Sequence, residues 1–147
     1  MTDKKPVAQA LEVLLADSYT LYQKSHSYHW NVTGPMFTTL HTLFEQQYTE
    51  LAIAIDEIAE RIRSLGFPAP GSFTQFMERS SVKEDTAVPS AIDMVRQLVA
   101  DHEAVAESAR KVIHAGEAAN DDASVDLGVR RIDVHEKSAW MLRSHLE

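Results

Sequence analysis

Apolar residues recur along this chain at spacings of three and four, without the alternation of a strand. Leu11, Leu14, Leu15, Leu21 and Tyr22, joined by Ser18, Ser25 and His29, line one face of a helix over about residues 6–33. At ~100° per residue, His29 points in nearly the same direction as Leu11, Leu15 and Tyr22, which puts an imidazole on the buried face. Gly34-Pro35 stops this helix and starts the next, since proline suits a first turn. Over about residues 36–64, Phe37, Leu40, Phe44, Tyr48, Leu51, Ile55, Ala59 and Ile62 share one face.

Leu65-Gly66-Phe67-Pro68-Ala69-Pro70-Gly71 ends the second segment and opens a crossover that reaches Pro89, within which Ser72–Glu78 reads as a short capped helix. A third long segment, about 90–116, carries Ile92, Val95, Leu98, Val99, His102, Val105, Ala106, Ala109, Val112 and Ile113, and is expected to end near Gly116. Asn120, Asp121 and Asp122 offer N-cap chemistry for a last helix running to about residue 145. Its apolar residues fall on two faces, Leu127, Val134 and Met141 on one and Val129, Ile132 and Trp140 on the other. A helix wet on one narrow side is expected to touch a second subunit as well as its own core. The pattern predicts an all-α protein, an antiparallel four-helix bundle of one domain over residues 1–147 with a long crossover between helices two and three.

Composition narrows the function classes. The net charge of −8 suits attraction of cations and repels phosphate backbones, so nucleic-acid binding would need a local basic patch. Only Lys4 and Lys5, offset by Asp3, offer one, which predicts weak or absent DNA association. With no cysteine, disulfides and thiolate metal sites are excluded. No apolar run approaches the roughly 20 residues of a membrane span, and the N-terminal residues lack a signal-like apolar region. The expected location is the cytoplasm, nucleoid-associated at most.

Chemistry concentrates around the Gly34-Pro35 corner. His29 precedes it and His41 follows it at similar distances, so folding the two helices antiparallel brings the imidazoles side by side. With His41 as zero, Glu45 lies near ~40°, Asp56 near ~60° and Glu60 near ~100° around the second helix, all along one edge of its apolar stripe. Imidazole plus carboxylate suits Fe(II), Zn(II) or Mn(II). Helical rise then divides the set. His41 and Asp56 are 15 residues apart, about 22 Å along a straight helix, whereas ligands of one ion must come within roughly 2.0–2.2 Å of it. A second copy running antiparallel across a two-fold axis can set its Asp56 and Glu60 against the first copy's His29 and His41, giving two equivalent sites per dimer. No Glu is followed three positions later by His, which argues against a di-iron site inside one bundle.

His29-Trp30, Gly34-Pro35, Leu40-His41 with Phe44-Glu45, and Asp56-Glu57-Ile58-Ala59-Glu60-Arg61 together resemble the Dps family of miniferritins, and the resemblance extends over nearly the whole chain. It implies a ferritin-like fold and a hollow dodecamer with ferroxidase centres between subunits. There Fe(II) is oxidised, preferentially by hydrogen peroxide, and ferric oxide is stored inside, which protects the cell and its DNA from oxidative damage. By position, His29 and His41 would be ligands from one subunit and Asp56 and Glu60 from its partner. Glu45 stands where many members have Asp, and its longer side chain would reach a second iron or a bridging water. Trp30 matches an aromatic beside the family's site with a role in electron transfer.

The same resemblance makes Glu117, Asp121, Asp122 and Asp126 candidates for an iron-entry pore at a three-fold axis, Asp121 and Asp126 foremost. Read from the residues alone, they cap the last helix and oppose its dipole. His26, His102, His114, His135 and His145 lack paired acidic spacing and are expected to be surface or core residues. Two other functional classes fit parts of the pattern: a DNA-coating protein with a secondary metal site, and a structural or zinc-binding oligomer without turnover.

Overall fold

In a computed structural model, which describes residues 3–147, the first periodic segment is one helix, α1 (Lys5–Asn31), with Pro6 in its first turn where a missing N–H costs nothing. Lys4 does not extend into solvent. Its Nζ donates to the carbonyl of Ala119 at 2.9 Å, a cation set on carbonyls at the end of another helix. Gly34 carries the chain round the corner with φ at +103°. A Cβ there would meet nothing within 4 Å, so the left-handed backbone, and not space, calls for glycine. Helix α2 (Phe37–Ser64) then runs unbroken for 28 residues.

The crossover holds α3 (Phe73–Arg79), closed by a capping box in which Ser72 and Gln75 satisfy each other's backbone N–H groups. Helix α4 (Ala91–Ala118) is capped by Ser90, and α5 (Asp122–Arg143) ends in a 3₁₀ turn over Ser144–Leu146. Helix α4 ends at Ala118, two residues past the Gly116 near which its end is expected, and Gly116 itself is a packing residue. A Cβ at that position would lie 2.8 Å from Val125 Cγ2 and 3.2 Å from the Asp121 carbonyl.

Helices α1 and α2 form one tight antiparallel pair and α4 and α5 another, joined chiefly through α1 and α4. Leu11, Leu14, Leu15, Leu21, Phe44, Leu51, Ile58, Ile62, Leu98, Val105 and Leu142 fill the space between them, each essentially free of solvent. Each stabilises the fold by roughly 1.5–3 kcal/mol. Helices α2 and α5 approach each other less closely than α1 and α4 do, and arginines span the gap. Arg131 reaches Glu50, Arg130 reaches Glu57 and Arg61 reaches Asp121. No helix among the described residues is long and apolar enough to cross a membrane.

The last helix departs from its expected pattern. Its buried face is Ser124, Leu127, Gly128, Arg131, His135, Ala139 and Leu142, while Val134 and Met141 are only half-buried. Polar groups are tolerated there because they are paired. Of the second apolar face, Val129 and Trp140 are exposed, whereas Ile132 is half-buried against the core.

Asp17, buried in the middle of α1, pins the crossover. Its carboxylate accepts from Ser80 Oγ (2.9 Å), the Ser81 backbone N–H (2.6 Å), Ser81 Oγ (2.8 Å), Val82 N–H (3.3 Å) and Ser108 Oγ (2.5 Å). Replacing it orphans donors on the crossover and on α4 at once. Asp17→Ala is expected to lower unfolding free energy by about 3 kcal/mol, measured by denaturant titration. A change under about 1 kcal/mol would show that the crossover is held by Phe76 and Val82 alone.

Candidate metal centre

The two histidines flanking the corner are brought together as parallel rings, centroids 3.8 Å apart and 12° from coplanar. Each is locked by the other's backbone. His29 Nδ1 donates to the His41 carbonyl at 2.6 Å, and His41 Nδ1 donates to the His29 carbonyl at 2.7 Å. A carbonyl oxygen can only accept, so both Nδ1 atoms must carry the proton. In the neutral ring that leaves the lone pair on Nε2, the form in which imidazole ligates a metal. The bond to Nδ1 is the kind that sets ring orientation and ligand basicity. His29 is 7% exposed, so the pair is held by packing as well.

Glu45, one turn along α2 from His41, places Oε1 3.8 Å from His29 Nε2 while remaining largely exposed. Asp56 and Glu60 are not part of this group. They lie about three and four turns further down the same unbroken helix, exposed beside Ala52 and Ile53 in a shallow groove. Ile53 is 70% exposed there. Among the described residues, no three His, Asp or Glu side chains of this chain come together as a metal-holding group. The structure thus keeps His29, His41 and Glu45 apart from Asp56 and Glu60 along α2.

Aromatic side chains wall the histidine pair. Phe37 stacks on His41 (5.0 Å, 22°) and Tyr48 stands edge-on to His29 (5.2 Å, 73°). His26 lies between Trp30 (4.0 Å) and Tyr48 (4.3 Å). Trp30 is 64% exposed. Burial, then the neighbouring His29, push His26 below its ordinary pKa, while burial and the nearby Glu45 charge raise that of Tyr48. Sequence reasoning passed over His26 as an ordinary histidine and took Phe37 and Tyr48 as core. The signal that could have found them is spacing, His26 lying three residues before His29 and Tyr48 three after Glu45.

At the other end of the bundle the acidic turn divides in two. Asp121 is buried, caps α5 by accepting from the Ser124 N–H, and takes a 2.6 Å ion pair from Arg61 Nη2. Burial alone would raise its carboxyl, but hydrogen bonds from Ser124 and the Arg61 charge hold it below the usual carboxylate range. Glu117, Asp122 and Asp126 are exposed, Asp126 being paired with Arg130 at 2.9 Å. Of the remaining histidines, His114 is exposed and His145 half-buried, whereas His102 and His135 are fully buried against each other.

A family model described as a ferritin-like domain matches residues 8–147. The DNA protection during starvation protein of Brevibacillus brevis is 37% identical over 98% of this chain and 99% of its own length. A low temperature-induced protein of Nostoc is 42% identical over 98% of this chain and 82% of its own. Among solved structures, Dps from Staphylococcus aureus superposes with a TM-score of 0.95 at 33% identity, covering 100% of this chain and 99% of that one. Dps from Vibrio cholerae, described as one of a broad superfamily of ferritin-like diiron-carboxylate proteins, gives 0.91 at 32% identity over 96% and 89%.

Proposed function

The chain belongs to the ferritin-like family and, within it, to the Dps proteins, and from that premise we propose that it is an iron-storing ferroxidase that consumes hydrogen peroxide. The observation that carries this reading is the reciprocal lock of His29 and His41, which leaves two Nε2 lone pairs adjacent. Fe(II), the substrate, is held by those two nitrogens with Glu45 alongside. The partner's Asp56 and Glu60 complete the site across a two-fold axis. The need for a partner is supported by the straight run of α2, which keeps His41 and Asp56 of one chain about 22 Å apart.

A ligand set this sparse leaves coordination positions open for an oxidant. Two Fe(II) ions each give one electron to one peroxide, which with two protons becomes two waters, so no hydroxyl radical leaves the site. The ferric product is stored as oxide inside a hollow assembly of twelve subunits in the cytoplasm. Iron enters by the acidic turn, where Asp126 is exposed; Asp121, whose carboxylate is spent on Arg61 and Ser124, shapes that turn and does not line it. DNA is protected by removal of iron and peroxide. A coating role is weakened by the bond that ties Lys4 to Ala119, which leaves only Lys5 of the pair without a side-chain partner among the described residues.

Anaerobic Fe(II)-loaded protein titrated with peroxide tests the reading. Oxidation is expected to end near about two irons per peroxide, with little spin-trapped hydroxyl radical. A ratio near one, with the radical yield of free iron, would overturn it.

A further inference from the structure

The aromatic side chains beside the histidine half-site do not stop there. From Trp30 the rings continue through His26 to Tyr48 (4.0 and 4.3 Å between centroids), then to Tyr22 (5.9 Å), and from Tyr22 to Tyr19 (5.9 Å). Tyr19 stacks on Phe76 at 4.5 Å, at the crossover. Tyr19, Tyr22 and His26 follow one stripe of α1, and Tyr48 of α2 closes the gap beside the metal ligands. Packing alone would be served as well by phenylalanine or leucine. Yet every ring from Tyr48 to Tyr19 is an oxidisable phenol, and all three are half-buried, close enough to the surface to exchange a proton. Tyr28, the remaining tyrosine, packs on Phe44 and spends its hydroxyl on Asp85, off this line.

We infer that Tyr48, Tyr22 and Tyr19 form a relay that carries a one-electron oxidising equivalent from the His29/His41 half-site to the crossover edge, with Trp30 as a second entry through His26. Its purpose rests on the iron reading above. A site holding a single Fe(II) reduces peroxide to hydroxide and hydroxyl radical while the iron becomes Fe(III). That radical takes one hydrogen atom from the Tyr48 hydroxyl, giving water and a tyrosyl radical. Tyr48 recovers its electron from Tyr22 and a proton from solvent, while Tyr22 loses its proton to solvent. The same exchange moves the radical to Tyr19. There a soluble thiol donates a hydrogen atom, restoring the phenol and leaving a thiyl radical. The metal ligands and the partner's half-site are thereby spared.

Pulse radiolysis tests the relay without iron. In the assembled, metal-free protein carrying Trp140→Phe, azide radical removes an electron from Trp30, and the indolyl signal should decay into a tyrosyl signal at a rate independent of protein concentration. Tyr48→Phe is expected to slow that conversion by about tenfold or more. Tyr22→Phe should leave the conversion intact but strand the radical on Tyr48, so quenching by added glutathione slows by about tenfold. An unchanged conversion in Tyr48→Phe, or unchanged quenching in Tyr22→Phe, would overturn the relay. Failure of the peroxide titration would remove the iron reading and leave this measurement unaffected.

Discussion

Two inactive variants of this protein, His29→Asn/His41→Asn and Asp56→Ala/Glu60→Ala, are expected to regain iron oxidation when unfolded together and reassembled. Each alone should oxidise Fe(II) with peroxide at least about a hundredfold more slowly than the parent, about 2.7 kcal/mol of lost transition-state stabilisation. Asparagine is the informative replacement. Its amide N–H can keep the donation that each Nδ1 now makes to the opposite carbonyl, while the Nε2 ligand is gone. Folding and assembly are therefore retained as the metal site is lost.

The recovery follows from the proposed division of the site between two subunits. In a mixed dimer, one site inherits asparagines from one subunit and alanines from the other and is dead. The opposite site receives the intact His29 and His41 of one subunit and the intact Asp56 and Glu60 of its partner. Random pairing makes half the dimers mixed with one working site each, so about a quarter of parental activity should return. Stopped-flow oxidation of the reassembled mixture measures it. No recovery, with assembly verified by sedimentation, would mean that the two half-sites do not act together.

That experiment rests on what was readable in the sequence, namely helical rise applied to α2. His41 and Asp56 had to be far apart once the segment was one straight helix, and α2 is unbroken from Phe37 to Ser64. The four long helices and the short one in the crossover were likewise legible, because apolar periodicity, Gly34-Pro35 and the Ser72 cap are local signals. The lock between His29 and His41 was not, since it joins side chains to carbonyls across the corner and leaves no trace in spacing. Nor was the polar face of α5, where Arg131 and His135 are buried. A pattern of apolar residues turns such side chains outward by default, and only their partners on α2 and α4 reverse that. Asp17 was hidden for the same reason, its donors lying far along the chain in Ser80, Ser81 and Ser108. The end of α4 was legible to within two residues, but the packing role of Gly116 was not, because its partner, Val125, belongs to the following helix.

Removing the ionisable pair from that polar face is expected to flatten the loss of stability on acidification. The bonding fixes the protons. Arg131 Nη2, a donor only, lies 3.0 Å from His135 Nε2, which must accept. His135 Nδ1 therefore carries the proton and donates it to His102 Nδ1 at 2.9 Å, leaving a proton on His102 Nε2, a buried atom without a hydrogen-bond partner. Both rings are held neutral. Burial and then the Arg131 charge lower His102 from 6.5 to about 3, and burial, His102 and Arg131 push His135 well down. The unfolded chain takes up these protons near 6.5 while the folded chain refuses them. Below that value the unfolded state binds more protons, and stability falls with falling pH by up to about 1.4 kcal/mol per unit for each histidine. The carboxylates held low by their partners, Asp85, Glu57 and Asp121, give up their contribution only below the ordinary carboxylate range, so the windows separate. His102→Asn/His135→Gln replaces the pair with amides that can bond to each other and to Arg131 but do not titrate. Between pH 6.5 and 5 its melting temperature should fall by less than the parent's, the difference being about 10 °C. Equal slopes in the two proteins would mean that the pair already accepts a proton in the fold, with Arg131 turned wholly to Glu50.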